Sequence, residues 1–327
     1  MNTLTREDEK PLAILLSVFN GERFLREQLK SIADQGYREW CILWRDDGSS
    51  DQSRAIMEEF SAGVGHGRCV EVRSSCLRLG ASKSFLSLLR EADGYPFVAF
   101  ADQDDVWLPT KLERAVAYLR GIAETTPALY CGRQIVVDKC LKQKRFSPLP
   151  RFGLHFPSAL LQNVVTGCTA VLNQEGCRRV NGIFPPEQTM HDWWIYIVIA
   201  AVEGSIYFDP APEILYRQHS SNAVGVAPNL FIRLQKAIRR GARPFFHQLS
   251  AHLSALECAA ELLPDSAQQN IAAIRDGLHQ NRLRRLHFLR HNKQFRRQTW
   301  LDNAALALWV LSGDPIQTMY SNSEKNP

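Results

Sequence analysis

The densest group of acidic side chains in the sequence is FADQDDVW, residues 100–107, in which three carboxylates occupy four consecutive positions. Carboxylates this close repel one another unless a cation neutralises them. The pair Asp102-x-Asp104 suits Mg²⁺ or Mn²⁺, which take few protein ligands and complete their coordination with phosphate oxygens. Without an ion, the same residues would form an exposed acidic turn before the helix predicted from Pro109 to Leu119.

An apolar strand is predicted immediately before this acidic group, and two more polar groups also follow predicted strands. The apolar run 12–18 leads to Asn20-Gly21, and the run 40–44 leads to the polar stretch 45–51. Apolar residues at helical spacing follow each of these two polar groups. A short strand near 69–72, a helix over 84–92 and a strand over 97–101 continue the alternation.

Continuous apolar strands that alternate with amphipathic helices predict an α/β fold, with a mostly parallel sheet and helices on both faces. In such a sheet, ligands bind outside the carboxyl ends of the strands. We therefore expect residues 17–20, 46–51 and 102–105 to meet on one rim. The sequence contains neither G-x-G-x-x-G nor G-x-x-x-x-G-K-[ST], so phosphates bound at this rim would need a metal ion.

Further strands are predicted at 129–137, 164–173 and 206–208, and the sheet domain is predicted to end near Val226. We divide the chain into a catalytic domain, 11–226, and a basic helical C-terminal region, 227–327. Between Ile214 and Trp300 there are fourteen Lys or Arg against four Asp or Glu. This region is typical of a helix that rests on an anionic inner membrane. The alternatives are a solvated helix face, or helices that pack on the catalytic domain or on a second subunit.

Composition limits the class of protein. The chain has 327 residues, 45% of them hydrophobic, and a formal net charge of +5, which is typical of a folded globular protein. The polar start lacks the apolar region of a secretory signal, and the longest apolar stretch, 303–313, is too short to span a bilayer. We expect a cytoplasmic protein with reduced cysteines and no nucleic-acid partner.

Six segments in order, ILLSVFNGERFL, WRDDGSSD, LGASKSF, FADQDDVWLPTKLE, MHDWW and YRQHSSNAVG, resemble family 2 glycosyltransferases. The resemblance covers roughly residues 11–226 and is greatest to bacterial rhamnosyltransferase-like members. It implies a GT-A fold, a nucleoside-diphosphate sugar donor and a divalent metal, Mg²⁺ or Mn²⁺, that holds the diphosphate of the donor. It also implies a single displacement that inverts the anomeric centre.

The resemblance also assigns roles to single residues of the donor site. Asp47 would accept a hydrogen bond from the base, although Asp47-Gly48-Ser49 alone is most often only a turn. The other implied donor-site residues are Ser17 and Asn20 near the nucleoside, Lys83 in the donor pocket, Asp102 near the ribose or metal, Asp104 as the principal metal ligand, and His219 at the metal or diphosphate.

For the chemical step, the resemblance makes Asp192 the general base that deprotonates the acceptor hydroxyl. The structural alternative is that Asp192 caps a helix over 193–202. Three tryptophans, Trp107, Trp193 and Trp194, are candidates for stacking on sugar rings or, alternatively, core residues. Of the three, we place Trp193 at the substrate.

The predicted function is inverting, metal-dependent sugar transfer to a saccharide or lipid-linked saccharide in cell-surface polysaccharide synthesis, with dTDP-rhamnose as the favoured donor. A nucleotidyltransferase would share the metal-binding rim but release pyrophosphate. An aspartyl-phosphate phosphatase also uses D-x-D-x-[TV], but there the motif follows the first strand. A non-catalytic glycan-binding or membrane-binding protein would not need every candidate carboxylate.

Overall fold

The computed structural model describes residues 10–73, 78–218 and 242–312. Its described strands form one nine-stranded sheet in the order β3-β2-β1-β4-β8-β6-β9-β5, and β7 pairs with the outer part of β6. The strands are β1 Leu12–Val18, β2 Trp40–Asp46, β3 Cys69–Glu71, β4 Phe97–Ala101, β5 Val106–Trp107, β6 Ala128–Val137, β7 Gln143–Phe146, β8 Val171–Asn173 and β9 Ser205–Arg217.

The first four strands form the predicted parallel half of the sheet. β1 lies between β2 and β4, β3 flanks β2, and all three pairings are parallel. The register places Ser17 beside Arg45 and Val18 beside Asp46, so the loops after β1 and β2 leave the sheet side by side. β1 is buried on both faces, because helices cover both sides of a parallel sheet.

Beyond β4 the sheet becomes mixed. β8 pairs antiparallel with both β4 and β6, while β9 runs parallel to β6 over most of its length. Strand β9 is longer than predicted, and only the last three residues of the predicted strand 164–173 belong to a strand, β8. Residues 167–169 form a 3-10 turn instead, and the loop that contains them becomes a wall of the cleft described below.

The helices cover both faces of the sheet and continue in the C-terminal region. They are α1 Leu25–Ala33, α2 Ser53–Ala62, α3 Ala81–Glu91, α4 Lys111–Arg120, α5 Ser158–Leu161, α6 Gln174–Gly182, α7 His191–Ala201, α8 Ala242–Glu257, α9 Asp265–His279, α10 Arg282–His291 and α11 Trp300–Ser312.

The C-terminal helices pack directly on the sheet domain. Phe246 and Leu253 of α8 and Ile274 of α9 belong to the same apolar cluster as Trp194 of α7 and Phe100 of β4. Helices α9 and α10 are separated at Asn281, whose side chain accepts a hydrogen bond from the backbone of Arg284 and so caps α10. No helix in the described part of the chain combines the length and apolarity needed to cross a membrane.

The predicted boundary between the two domains, 226/227, lies outside the described residues. The division of the chain into 11–226 and 227–327 therefore stays a prediction. Most helices of the parallel half agree with the sequence, since α1 to α4 start and end within a few residues of the predicted positions.

Candidate active site

A cleft of about 1100 Å³ opens along the carboxyl ends of β1, β2 and β4. Its opposite wall consists of the loop 163–167 and the first turn of α7. The cleft brings together the side chains that the sequence analysis placed on one rim. Of the predicted site residues, those that line it are Ser17, Asn20, Asp47, Asp102, Asp104, Asp192 and Trp193.

Two predicted site residues, Lys83 and His219, are not among the described residues that line the cleft. His219 lies outside the described residues. Lys83, on α3, is not among the residues that line the cleft, and its amine lies 3.3 Å from the carboxylate of exposed Glu187. The structure therefore does not place Lys83 in a donor pocket, because its amine faces Glu187 on the exposed surface.

The acidic loop after β4 concentrates negative charge in a largely buried position. Burial, together with the charges of Asp104 and Asp192, raises the pKa of Asp102 to about 7. Burial and the neighbouring carboxylates raise the pKa of Asp105 well above its usual value. One Asp105 oxygen accepts from the backbone N–H of Arg217 at 3.0 Å, and the other has no hydrogen-bond partner among the described residues.

This loop fits a divalent cation. The potential ligand atoms of Asp102, Asp105 and Cys168 lie within 4.8 Å of one another, and Asp104 lines the cleft beside them. A hard cation prefers carboxylate oxygen to a thiol, so oxygen ligands for Mg²⁺ or Mn²⁺ come from the aspartates. A bound cation would also relieve the repulsion that raises the pKa of Asp102.

Arg217, which the sequence analysis did not single out, makes hydrogen bonds that stabilise the acidic loop. Its side chain is almost fully buried, and its Nε donates to the backbone carbonyl of Asp104 at 2.8 Å. Its two terminal nitrogens donate to the carbonyl of Lys139 at 2.7 Å and to Glu27 at 2.5 Å. The guanidinium also lies over the ring of Phe24, 4.4 Å from the centroid. Arg217 therefore ties the end of β9 to the acidic loop.

Gln103 connects the acidic loop to the loop after β1. Its side chain donates to the carbonyl of Phe19 at 2.8 Å and accepts from the N–H of the same residue at 2.9 Å. A β-carbon on Gly21 would come within 2.3 Å of the Gln103 amide oxygen, so this close approach requires glycine. Asn20 in turn accepts from the backbone N–H of Ser50 at 2.8 Å, which joins the loops after β1 and β2.

Asp47 lines the cleft and also makes hydrogen bonds that stabilise the fold around it. It is buried, and its carboxylate accepts from the backbone N–H groups of Leu79 and Gly80 at 2.7 and 2.8 Å and from the guanidinium of Arg45. These contacts fix the segment that leads into α3. A carboxylate has about four acceptor positions, so roughly one remains for a ligand.

Asp192 lies in the first turn of α7, and the residue before the helix is Met190. The alternative in which Asp192 itself precedes the helix is therefore wrong. One carboxylate oxygen accepts from the N–H of Trp193 at 2.7 Å, and the other accepts from the N–H of Gly167 at 3.2 Å. These two bonds fix the orientation of a carboxylate that is 9% exposed and faces the cleft.

His191 and Gly167 pack against each other beside this carboxylate. The His191 ring is buried and stacked on Phe85 with ring centroids 4.4 Å apart, and burial lowers its pKa. A β-carbon on Gly167 would lie 2.6 Å from its Nε2 atom. Sequence reasoning missed Gly167, because only the fold shows that the loop must approach α7 this closely.

The three candidate tryptophans separate in the structure. Trp194 is fully buried and Trp107 nearly so, so both are core residues, the alternative that the sequence analysis left open. Trp193 is half-buried and lines the cleft, with its ring nitrogen donating to the carbonyl of Ala159 at 2.7 Å. Only Trp193 is placed to contact a substrate.

Comparison with known proteins identifies the family. The model of the family described as "Glycosyl transferase family 2" matches residues 13–179. The dTDP-rhamnosyl transferase RfbG of Shigella flexneri is 29% identical over 228 residues, which cover 64% of this chain and 73% of that protein. The UDP-Glc:alpha-D-GlcNAc-diphosphoundecaprenol beta-1,3-glucosyltransferase WfgD of Escherichia coli is 26% identical over 165 residues, 50% of this chain and 60% of that protein.

Solved structures support the same fold. The structure of S. aureus TarS 1-349 in complex with UDP superimposes with a TM-score of 0.53 at 17% sequence identity. The match covers 74% of this chain and 65% of that one. At this level of identity the similarity concerns the fold, which is the GT-A-like arrangement of a mixed sheet with flanking helices.

Proposed function

This chain belongs to glycosyl transferase family 2, and from that premise we propose that it transfers a sugar from a nucleoside-diphosphate donor to a hydroxyl of a saccharide or lipid-linked saccharide. One observation carries the proposal. A single cleft is lined by Ser17, Asn20 and Asp47 at the ends of β1 and β2, by the acidic loop after β4, and by the buried Asp192 carboxylate. Donor binding and deprotonation of an acceptor therefore have a common site in which to operate.

In the donor half of this cleft, Asp102 and Asp104 would hold the divalent cation, with His219 as a third ligand on the strength of the sequence. When bound, Mg²⁺ or Mn²⁺ neutralises the charge that develops on the leaving diphosphate. Asp47 would use its remaining acceptor position for the base, with Ser17 and Asn20 alongside the nucleoside. The metal fit rests on the crowded carboxylates and on the raised pKa of Asp102.

Asp192 would act as the general base. Its carboxylate takes the proton of the acceptor hydroxyl while the acceptor oxygen forms a bond to the anomeric carbon and the bond to the diphosphate breaks. Because the attack occurs in one step from the side opposite the leaving group, the anomeric configuration inverts. The N–H groups of Gly167 and Trp193 orient the base, and the Trp193 ring would stack on a sugar.

We propose dTDP-rhamnose as the donor and a cell-surface polysaccharide or lipopolysaccharide precursor as the product. Similarity to a dTDP-rhamnosyl transferase supports the donor, and similarity to an enzyme named for a diphosphoundecaprenol acceptor supports a lipid-linked acceptor. The phosphatase alternative loses support, because Asp102 follows β4, the fourth strand of the sheet, and not the first.

The test is release of a nucleoside diphosphate by the full chain, assayed with dTDP-rhamnose and UDP-glucose, with and without Mn²⁺. We expect Asp192→Asn to lower kcat roughly 10²–10⁴-fold and Asp104→Asn to lower it at least as much. Asp93→Asn, at an exposed carboxylate away from the cleft, should leave the rate unchanged. Release of pyrophosphate would instead indicate a nucleotidyltransferase, and full activity of either site variant would overturn the assigned roles.

A further inference from the structure

Helix α11 is apolar on the side that faces away from the protein as well as on the side that faces the core. Its inward side carries Leu306, Trp309 and Val310, all buried. Its outward side repeats apolar residues at helical spacing, because Trp300 is 70% exposed, Ala304 is exposed and Leu308 is 54% exposed. A surface helix normally presents polar residues outward, so the apolar outward side of α11 is unusual for a surface helix.

The chain just before α11 is strongly basic. Residues 277–301 contain seven Lys or Arg and no Asp or Glu. In this segment Leu283 is 80% exposed, so an aliphatic side chain projects among the cations. The basic side chains that are exposed there are Arg282, Arg284, Arg290 and Lys293.

The two features adjoin each other, because α10 packs on α11. Arg285 of α10 is buried against α11, and its guanidinium lies 3.4 Å from the carbonyl oxygen of Val310. The exposed residues of α10, of the connection to α11 and of the outward side of α11 are called here the α10–α11 surface. It combines exposed aliphatic and indole groups with cations and lacks acidic side chains up to Asp302.

We propose that the α10–α11 surface docks on an anionic lipid bilayer. Anionic headgroups attract the arginines and lysine, while the indole and the leucines enter the boundary between headgroups and acyl chains. A nucleic acid would pair with the cations but would leave the aliphatic side chains exposed to water. A second copy in the same orientation would bring two surfaces of like charge together, which disfavours a dimer here.

The α10–α11 surface lies close to the catalytic cleft, as an enzyme with a membrane-bound acceptor would require. The proposal that the surface docks on a bilayer does not itself depend on such an acceptor. The ring of Trp309 packs against Phe245 of α8 with centroids 5.2 Å apart. Three residues further along α8, Gln248 lines the catalytic cleft. A single helix therefore separates the docking surface from the cleft. The docking claim concerns binding alone, so it is tested without donor or acceptor.

The experiment is flotation of the full chain with two kinds of vesicle, one of pure phosphatidylcholine and one with a large fraction of phosphatidylglycerol. Arg282→Gln with Arg284→Gln tests the charge, and Trp300→Ser with Leu308→Ser tests the apolar face. The matched control for the charge variant is the double change Lys142→Gln with Lys144→Gln, at two exposed cations elsewhere on the protein. The matched control for the apolar variant is Phe184→Ser, at an exposed ring elsewhere on the protein. Thermal unfolding confirms that each variant is folded.

We expect binding only to the anionic vesicles, and we expect it to fall as salt screens the charges. Each removed cation near the surface should weaken binding about fivefold, so the double charge variant loses roughly 25-fold. The apolar variant should lose tenfold or more, and both controls should bind like the unaltered chain.

Several outcomes would overturn the proposal. They are equal binding to both vesicle types, an apolar variant that binds like the unaltered chain, retention of duplex DNA without vesicle binding, and a dimer in light scattering that the Trp300 and Leu308 changes dissociate. Absence of any binding to vesicles would also overturn it.

Discussion

Replacing Arg217 by lysine should lower the free energy of unfolding, because it removes contacts that hold the acidic loop. It should also raise the Mn²⁺ concentration needed for half-maximal rate, because the loop carries Asp104. The substitution keeps the positive charge. It replaces a planar guanidinium, which donates to three separate acceptors, by a single ammonium group. The backbone N–H of residue 217 still reaches Asp105. The side-chain bonds to the carbonyls of Asp104 and Lys139 and to Glu27 cannot all survive.

The loss can be estimated from these contacts. The side chain of Glu27 is 53% exposed, so its ion pair contributes about 0–1 kcal/mol. A buried hydrogen bond from a charged donor contributes about 1.5–3 kcal/mol, and lysine would lose at least one of the two bonds to carbonyls. We therefore expect the free energy of unfolding to fall by about 2–4 kcal/mol. A displacement of Asp104 by about 1 Å would cost roughly 10²-fold in rate.

Two measurements separate positioning from stability alone. Thermal unfolding gives the stability loss, and the Mn²⁺ concentration for half-maximal rate, measured well below the unfolding temperature, gives the effect on the metal site. Glu27→Gln is the matched control, since it removes the half-exposed partner and leaves both carbonyl contacts. If Arg217→Lys lowers stability but leaves the Mn²⁺ response and kcat unchanged, Arg217 does not position Asp104 and the reasoning fails.

Three further predictions concern the rest of the site and the core. Gly167→Ala should lower kcat about 10²-fold, because the added methyl group forces the loop away from α7, while Gly182→Ala, whose nearest neighbour is 3.7 Å away, should not; equal rates would contradict this. Because the pKa of Asp102 is raised to about 7, Mn²⁺ affinity measured by titration should fall as the pH drops below about 7, and Asp102→Asn should remove much of that dependence. Lys111 and Glu213 are fully buried, and the charge of each favours the charged form of the other. Lys111→Met or Glu213→Gln alone should therefore lower the free energy of unfolding in denaturant, and the double variant should lose less than the sum of the two losses; strictly additive losses would show that the two groups are uncoupled.

The sequence was sufficient to predict the parallel half of the fold and its rim. Strands β1, β2 and β4 are continuous apolar runs because helices cover both faces of the sheet, and polar residues at their ends then had to share an edge. The mixed half was harder to predict. Strand β7, QKRF, is a polar edge strand without apolar alternation, and β5 has only two residues.

The carboxylates predicted on this rim carried a chemical signal of their own, Asp102-x-Asp104 above all, whereas the roles of Ser17 and Asn20 came only from the family resemblance. Arg217 and Gln103 have no such signal, because their roles are set by partners 113 and 84 residues away in the chain. The tryptophans show the converse limit. Trp193 and Trp194 are adjacent and identical in type, and only the direction in which α7 presents each ring distinguishes a cleft residue from a core residue.

The same long-range contacts explain how the site is held ready for a ligand. Gln103, Asn20 and Arg217 join the loops after β1, β2 and β4 to one another and to β9 by bonds within the protein. The geometry of the acidic loop is therefore supported by contacts within the protein, independently of any ligand atom. A site whose side chains are fixed in advance loses little conformational freedom on binding. If Asp192 is the general base proposed above, the binding free energy of the diphosphate is then available to orient the anomeric carbon toward its carboxylate.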